Sequence, residues 1–160
     1  MPDQVLKKSS IDEMEGLRKT HFLNRGAQRI NKSLGDASGL QNIGFHIVEV
    51  EPGKDSTELH FHHHEEECVY ILDGEATATI GESTVAVASG DFIAYPAGGE
   101  PHKLTNTGDQ SLRCIVVGQR LPHDVVDYPG QQKRLYRNQN LSWSLVSMAD
   151  IIQPEAGQKT

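Results

Sequence analysis

Histidine and glutamate residues at the spacing of metal ligands form the most distinctive stretch of this sequence. His60 and His62 lie two residues apart, and residues two apart on a strand project from the same face, so both imidazoles can reach one ion. Glu67 would return beside them on an antiparallel strand after a tight turn. His102 follows the Pro- and Gly-containing bend 96–101, which could bring a fourth ligand from the next hairpin. These four residues are the predicted metal site.

The neighbouring polar residues are assigned to less specific roles. His63 is expected to point away from the site toward solvent or the rim. His64 is a candidate for contact with one of the metal-binding side chains without binding the metal itself. Glu65 and Glu66 are predicted to form a charged turn surface. The alternative to a metal site is a solvated loop that is rich in histidine.

Two motifs around these residues resemble those of the cupin superfamily. The first family motif is Gly-(x)5-His-x-His-(x)3–4-Glu-(x)6-Gly, where x is any residue. The second is Gly-(x)5-Pro-x-Gly-(x)2-His-(x)3-Asn. The first is matched by His60, His62, Glu67 and Gly74, with Gly53 one residue further away than the pattern. The second is matched by Gly90, Pro96, Gly98, His102 and Asn106, with one extra residue before His102. The resemblance covers about residues 43 to 120 and implies a jelly-roll barrel.

Three imidazoles and one carboxylate favour a divalent transition metal, namely Fe, Mn, Ni, Co or Zn. Calcium and magnesium prefer oxygen ligands and are disfavoured. On an octahedral ion this set leaves two positions for water or a bidentate substrate.

We therefore expect an enzyme that acts on a small polar metabolite bearing a carboxylate, an enol or sugar hydroxyls. Dioxygenase, decarboxylase, lyase and isomerase remain open, with catalytic residues unassigned. The alternative is a non-catalytic small-molecule or sugar-binding module with a structural or absent metal.

Length and charge bound the other possibilities. A chain of 160 residues suits one domain, and a formal charge of −7 argues against nucleic acid as a partner. No apolar run approaches the roughly 20 residues that span a bilayer, and the first residues lack the apolar region of a signal peptide. A cytoplasmic protein without a membrane partner is expected. Cys68 and Cys114 lack CxxC spacing and are expected to be reduced.

Short strand-like runs separated by turn residues predict an all-β fold, a double-stranded β-helix (jelly-roll) with a short N-terminal helix and a C-terminal tail. Residues 43–120 are the predicted cupin barrel core. Residues 1–42 are an N-terminal extension whose helix, with a capping box at Ser10 and Glu13, is expected to reach about Lys19. Residues 121–160 are a C-terminal extension predicted to pack on the barrel or on a partner subunit.

The C-terminal extension carries two features that point to a partner. The basic residues Lys133, Arg134 and Arg137 are interpreted as a solvated surface or a subunit contact, and the alternative is that they neutralise an acidic substrate. The segment 141–152 is apolar enough to need cover, since an exposed patch of that kind promotes association. Together with the open edges of a jelly-roll, this predicts a homodimer.

Overall fold

A computed structural model describes residues 3–157 of the chain and consists mainly of β-strands. Valine, isoleucine and threonine fill the strands, and glycine or proline occupies many of the turns between them. The strands are β1 (Leu17–His21), β2 (Asn24–Ser33), β3 (Ile43–Val50), β4 (Phe61–His62), β5 (Glu67–Asp73), β6 (Glu75–Ile80), β7 (Ser83–Ala88), β8 (Phe92–Tyr95), β9 (His102–Thr105), β10 (Leu112–Gln119), β11 (His123–Tyr128), β12 (Lys133–Asn138) and β13 (Ser144–Ser147). The helices are α1 (Lys8–Glu13) and α2 (Leu34–Ala37), with 3-10 turns at Pro129–Gln131 and Met148–Asp150.

The strands form three antiparallel sheets. One has six strands in the order β1-β2-β3-β10-β5-β8, one has three in the order β7-β6-β9, and one has four in the order β13-β12-β11-β4. An isolated antiparallel bridge between His60 and His102 joins the start of β4 to β9 and so links the two smaller sheets. The predicted all-β jelly-roll is confirmed.

The main core lies between the six-stranded and three-stranded sheets. Alternate residues of β10 show the two-residue period, since Leu112 and Cys114 are fully buried while Arg113 and Ile115 are only partly buried. The members of this core are Val48, Val50, Val69, Ile71, Ala76, Ala78, Val87, Ile93, Tyr95, Leu104, Leu112 and Cys114. Each large apolar member contributes about 1.5–3 kcal/mol by burial. This core supports one end of the barrel and leaves the other end to polar residues.

The C-terminal part of the chain forms a wall of that polar end. β11 pairs with β4 so that Val126 lies opposite His62, and β12 pairs with the other edge of β11. A second small core of Val126, Tyr128 and Leu135, with Leu23 packed against it, supports this wall. Because β4 carries the histidine motif, β11 is positioned directly beside it.

The short N-terminal helix is confirmed, but its predicted extent is wrong. α1 begins after Lys7 without a side-chain cap and ends at Glu13, and residues from Leu17 onward form β1. Gly16 adopts a φ of +74°, and a Cβ at this position would lie 2.8 Å from Cγ2 of Ile30. The left-handed glycine turns the chain away from the helix and into the sheet.

In the described residues, no helix has the length and apolar character that a membrane span requires. The outermost residues of both predicted extensions, 1–2 and 158–160, lie outside the described part of the chain.

Candidate metal centre

A cavity of about 780 Å³ occupies the polar end of the barrel, and all four predicted metal ligands line it. They are His60, which directly precedes β4, His62 of β4, Glu67 of β5 and His102 of β9, so strands of all three sheets contribute. The fold therefore brings the four residues to the wall of one space.

The backbone pairing of His60 with His102 places two of the imidazoles side by side. The amide of His60 donates to the carbonyl of His102 at 3.3 Å, and the amide of His102 donates to the carbonyl of His60 at 2.8 Å. Directly opposite residues in an antiparallel pair share a face, and these two ring centroids lie 4.8 Å apart. His62 lies two residues along from His60, and their ring centroids are 5.1 Å apart.

The hydrogen bonds of each imidazole favour the tautomer that leaves Nε2 free to bind a metal. Nδ1–H of His60 donates to the carbonyl of Glu58 at 2.8 Å, and Nδ1–H of His102 donates to the carbonyl of Glu100 at 3.2 Å. Nδ1–H of His62 donates to Oδ2 of Asp124 at 2.6 Å. With every Nδ1 proton engaged, each Nε2 keeps its lone pair, which is the arrangement that positions histidine ligands around metals.

The protonation of these rings fits cation binding as well. His60 and His102 are only 6% and 3% exposed. Burial, followed by the proximity of His62 and His102, lowers the pKa of His60 well below its ordinary value, and burial lowers the pKa of His102 to about 4. Nε2 of His102 is buried without a hydrogen-bond partner in the described structure. A buried nitrogen with a free lone pair is unfavourable unless a partner such as an ion satisfies it.

Glu67, the predicted carboxylate ligand, occupies the first position of β5 and lines the cavity together with Asp36, Glu65 and Glu66. Its carboxyl group has no hydrogen-bond partner among the described residues, and burial raises its pKa, an effect that the nearby His62 opposes. Tyr95 lies opposite Glu67 on β8 and stacks on His102 with ring centroids 3.6 Å apart. The Tyr95 hydroxyl is buried without a partner in the described structure, and burial raises its pKa well above the ordinary value.

Asp124 is a residue of the site that the sequence reasoning did not find. It is 1% exposed, and its Oδ1 accepts hydrogen bonds from the amides of His64 and Glu65 at 3.2 and 3.3 Å. Burial alone would raise the pKa of Asp124, but the hydrogen bond from His62 and the surrounding charges lower it overall. The β-branched run of β11 was a signal for a strand, but its pairing with β4 has no local signature.

The surface role predicted for Glu65, which lies near Asp124, is wrong. Glu65 is not a surface residue, since it is 4% exposed and its Oε1 pairs with Nη2 of Arg137 and accepts the amide of Leu121. Burial raises the pKa of Glu65, and Arg137 offsets only part of the rise. Arg137 is therefore not merely solvated but neutralises a buried carboxylate beside the site. His64 is exposed and reaches this network through its backbone amide.

His62, Glu65 and Asp124 form a compact group whose ligand atoms lie within 4.8 Å of one another, and this is a candidate metal-binding triad in the described residues. The same atoms already bond to each other and to a cation. His62 Nδ1 lies 2.6 Å from Asp124 and 3.8 Å from Glu65, and Nη2 of Arg137 approaches both carboxylates. The predicted ligands share only His62 with this triad.

The other histidines and the cysteines belong neither to the predicted ligands nor to this triad, although His21, His46 and Cys114 also line the cavity. His63 bonds to Asp127 through Nε2 at 3.0 Å. His46 contacts the Asn31 amide at 3.1 Å, and the exposed His123 contacts Asn138 at 3.0 Å. Cys68 and Cys114 are both free.

Comparisons with known proteins agree with this architecture. The family model for the Cupin domain matches residues 46–118. A protein of Acidithiobacillus ferrooxidans that was proposed to be a sugar phosphate isomerase is 50% identical, with a TM-score of 0.91 over 96% of this chain and 97% of that chain. A sugar phosphate isomerase of Silicibacter pomeroyi, from a cupin superfamily, is 26% identical, with a TM-score of 0.79 over 87% and 91% of the two chains.

Two further proteins share parts of the chain. A predicted oxalate decarboxylase of Thermotoga maritima is 27% identical, with a TM-score of 0.59 over 69% of this chain and 96% of that chain. An uncharacterized protein of Methanocaldococcus jannaschii is 35% identical over 66 residues, which are 41% of this chain and 52% of that protein. The chain thus spans about half the length of this curated relative.

Proposed function

The chain belongs to the cupin superfamily, and from this premise we propose that it is a metal-dependent isomerase of a small phosphorylated sugar. The observation that carries the proposal is the set of three imidazoles, each with Nδ1 engaged and Nε2 free, on the wall of one cavity. The substrate class is supported by the two relatives that match nearly the whole chain, whose names both refer to sugar phosphate isomerases.

We assign the ion to Nε2 of His60, His62 and His102 together with the carboxylate of Glu67. Fe, Mn, Ni, Co and Zn all suit this donor set. The alternative triad of His62, Glu65 and Asp124 is less suitable, because the Arg137 cation already neutralises its carboxylates and Asp124 already binds the His62 proton. In our proposal the carboxylates of Glu65 and Asp124 lie on the Nδ1 side of His62 and orient its ring, as partners of metal-bound histidines commonly do.

Isomerisation of an aldose to a ketose moves one proton from a carbon to the neighbouring carbon and a second proton from the hydroxyl oxygen to the former carbonyl oxygen. A bound divalent ion polarises the carbonyl and hydroxyl oxygens of such a substrate. Glu67 would help to hold the ion, and its carboxylate could accept the carbon-bound proton and return it to the neighbouring carbon. The Tyr95 hydroxyl stays protonated because burial raises its pKa, and it can donate a hydrogen bond to a substrate oxygen.

The test measures metal content by mass spectrometry and isomerase activity on a panel of aldose and ketose phosphates. The double variant His62→Ala with Glu67→Gln should lose both the ion and the activity, since two of four ligands are removed. His123→Ala, at an exposed histidine, should change neither. Metal that survives the double variant would overturn the ligand assignment, and a metal-loaded protein that converts no member of the panel would overturn the isomerase.

Two further variants separate the two candidate metal sites. His102→Ala should reduce metal content while Glu65→Gln largely retains it, because only His102 belongs to the proposed ligand set. The reverse pattern would place the ion at the alternative triad.

We infer further that the protein works as a homodimer in the cytoplasm. Leu141, Trp143 and Ile152 are 67%, 63% and 84% exposed in the single chain, which is unfavourable for apolar residues so close together in sequence. A second copy that covers them would remove this surface from water. Two free cysteines are compatible with a reducing compartment.

A further inference from the structure

Two positively charged side chains lie opposite each other on one wall of the metal-site cavity. Lys19 of β1 pairs in register with Arg29 of β2, and both line the cavity together with the predicted metal ligands. Directly opposite residues share a face of the sheet, and like charges in such positions repel each other. An arrangement of this kind is unfavourable unless an anion lies between or beside the two charges.

Neither side chain forms a salt bridge with a carboxylate, although the charge of Arg29 lies near enough to Glu67 to oppose the rise in the pKa of that carboxyl group. The other lysine and arginine residues that line the cavity are each paired, Lys103 with Asp55, Arg120 with Asp36 and Arg137 with Glu65. Among residues 3–157, no carboxylate oxygen lies within 4.0 Å of Lys19 or Arg29. The chain as a whole carries a formal charge of −7, so the unpaired cations do not reflect a generally basic surface.

Arg29 is held beside the strand that carries His102. Its Nη1 donates to the carbonyl of Ser56 at 3.0 Å, and the amide of Ser56 donates to the carbonyl of Leu104 at 2.8 Å. Leu104 lies two residues after His102, on the same buried face of β9. A guanidinium has five N–H donors, so this anchor leaves most of them available to a ligand.

We propose that Lys19 and Arg29 form an anion subsite of the cavity and bind the phosphate group of a phosphorylated substrate. This inference rests on the proposed function, since it names the residues that would hold one part of the sugar phosphate. A phosphate monoester carries about −1.5 to −2 charge at neutral pH, which matches two adjacent cations better than a single carboxylate does. The fork of Arg29 can bind two phosphate oxygens, and the flexible Lys19 at the more exposed position adds a second charge.

The test is calorimetric titration of the full-length, metal-loaded protein with inorganic phosphate at low ionic strength, where exposed charges are least screened. Arg29→Gln should weaken phosphate binding by about tenfold or more, and Lys19→Gln by roughly threefold to tenfold, because each removes a charge-assisted contact. The matched control is Arg25→Gln, an exposed arginine of the same strand that does not line the cavity. Control binding should equal that of the unmodified protein.

Titration of the His62→Ala, Glu67→Gln variant separates this subsite from the proposed metal site. Phosphate binding that persists there, and still depends on Arg29, supports the subsite even if the protein proves not to be an isomerase. Phosphate binding that disappears with the metal, or that is unchanged by Arg29→Gln, would overturn the subsite while leaving the isomerase intact. Acetate that binds as tightly as phosphate would likewise overturn the phosphate assignment.

Discussion

Replacement of Asp124 by asparagine should weaken metal binding without removing any proposed ligand. The carboxylate accepts Nδ1–H of His62 at 2.6 Å and two backbone amides at 3.2 and 3.3 Å. Asparagine has the same shape but one acceptor oxygen. If its NH₂ group faces His62, the ring must move its proton to Nε2 and loses the lone pair for the ion. If its oxygen faces His62, the NH₂ group meets two amide donors.

The magnitude follows from the role of this contact. Loss of a carboxylate that orients a metal-bound histidine typically lowers metal affinity by about 10- to 100-fold, or about 1.4 to 2.8 kcal/mol. Direct loss of a ligand should reduce affinity more strongly. Asp124→Asn should therefore lie between the unmodified protein and His62→Ala.

The chain contains a matched control on the same strand. Asp127 is also buried, and it accepts a hydrogen bond from Nε2 of His63 at 3.0 Å and two from Arg134 at 2.6 and 2.7 Å. Because His63 is not a proposed ligand, Asp127→Asn should lower stability but leave metal affinity unchanged. Competition titration of Co²⁺ or Zn²⁺ against a chromophoric chelator measures the metal affinity of both variants. The reasoning is refuted if Asp124→Asn binds metal within about threefold of the unmodified protein, below the expected range, or if Asp127→Asn weakens binding equally.

Three further predictions concern stability and assembly. Burial lowers the pKa of His21 to about 4, and its Nδ1 accepts a hydrogen bond from the amide of Leu23. Below the ordinary pKa of 6.5, the unfolded chain therefore binds a proton at His21 more readily than the folded chain does. The free energy of unfolding should therefore fall as pH decreases from about 6.5 toward 4. His21 should account for about 1 kcal/mol of this loss at pH 5, after allowance for its partial exposure. In urea titrations, the His21→Gln variant should show a smaller loss of stability over the same pH range. Asn106→Ala should lower the free energy of unfolding by about 3–5 kcal/mol. The reason is that three backbone groups lose their hydrogen bonds of 2.7, 2.9 and 3.0 Å to the Asn106 side chain. The control Asn42→Ala, at an exposed position, should lower it by less than about 0.5 kcal/mol. Full-length protein at micromolar concentration should be dimeric by light scattering, and truncation after Asn140 should dissociate it or lower its solubility; a monomeric full-length protein would contradict the dimer.

Local pattern was sufficient to predict the strands of the barrel. Examples are the strands Ile43–Val50, Ser83–Ala88, Phe92–Tyr95 and Leu112–Gln119. Each is a run of apolar and β-branched residues that ends at a turn signal, and such signals act over a few residues. The same locality explains the error at α1, where the capping-box pattern was present but contact of the following residues with β2 favoured a strand.

The sequence by itself determined which residues could bind a metal and in which fold, because two motifs with the right types and spacing are visible in the linear chain. Only the tertiary structure decided what surrounds them. Asp124 lies 62 positions from His62, and Arg29 and Lys19 reach the cavity through strands that precede the motifs. Glu65 looked like a surface residue until Arg137 was placed beside it. Burial, ion pairing and the pKa shifts that follow depend on contacts between distant segments, and no local pattern specifies those contacts.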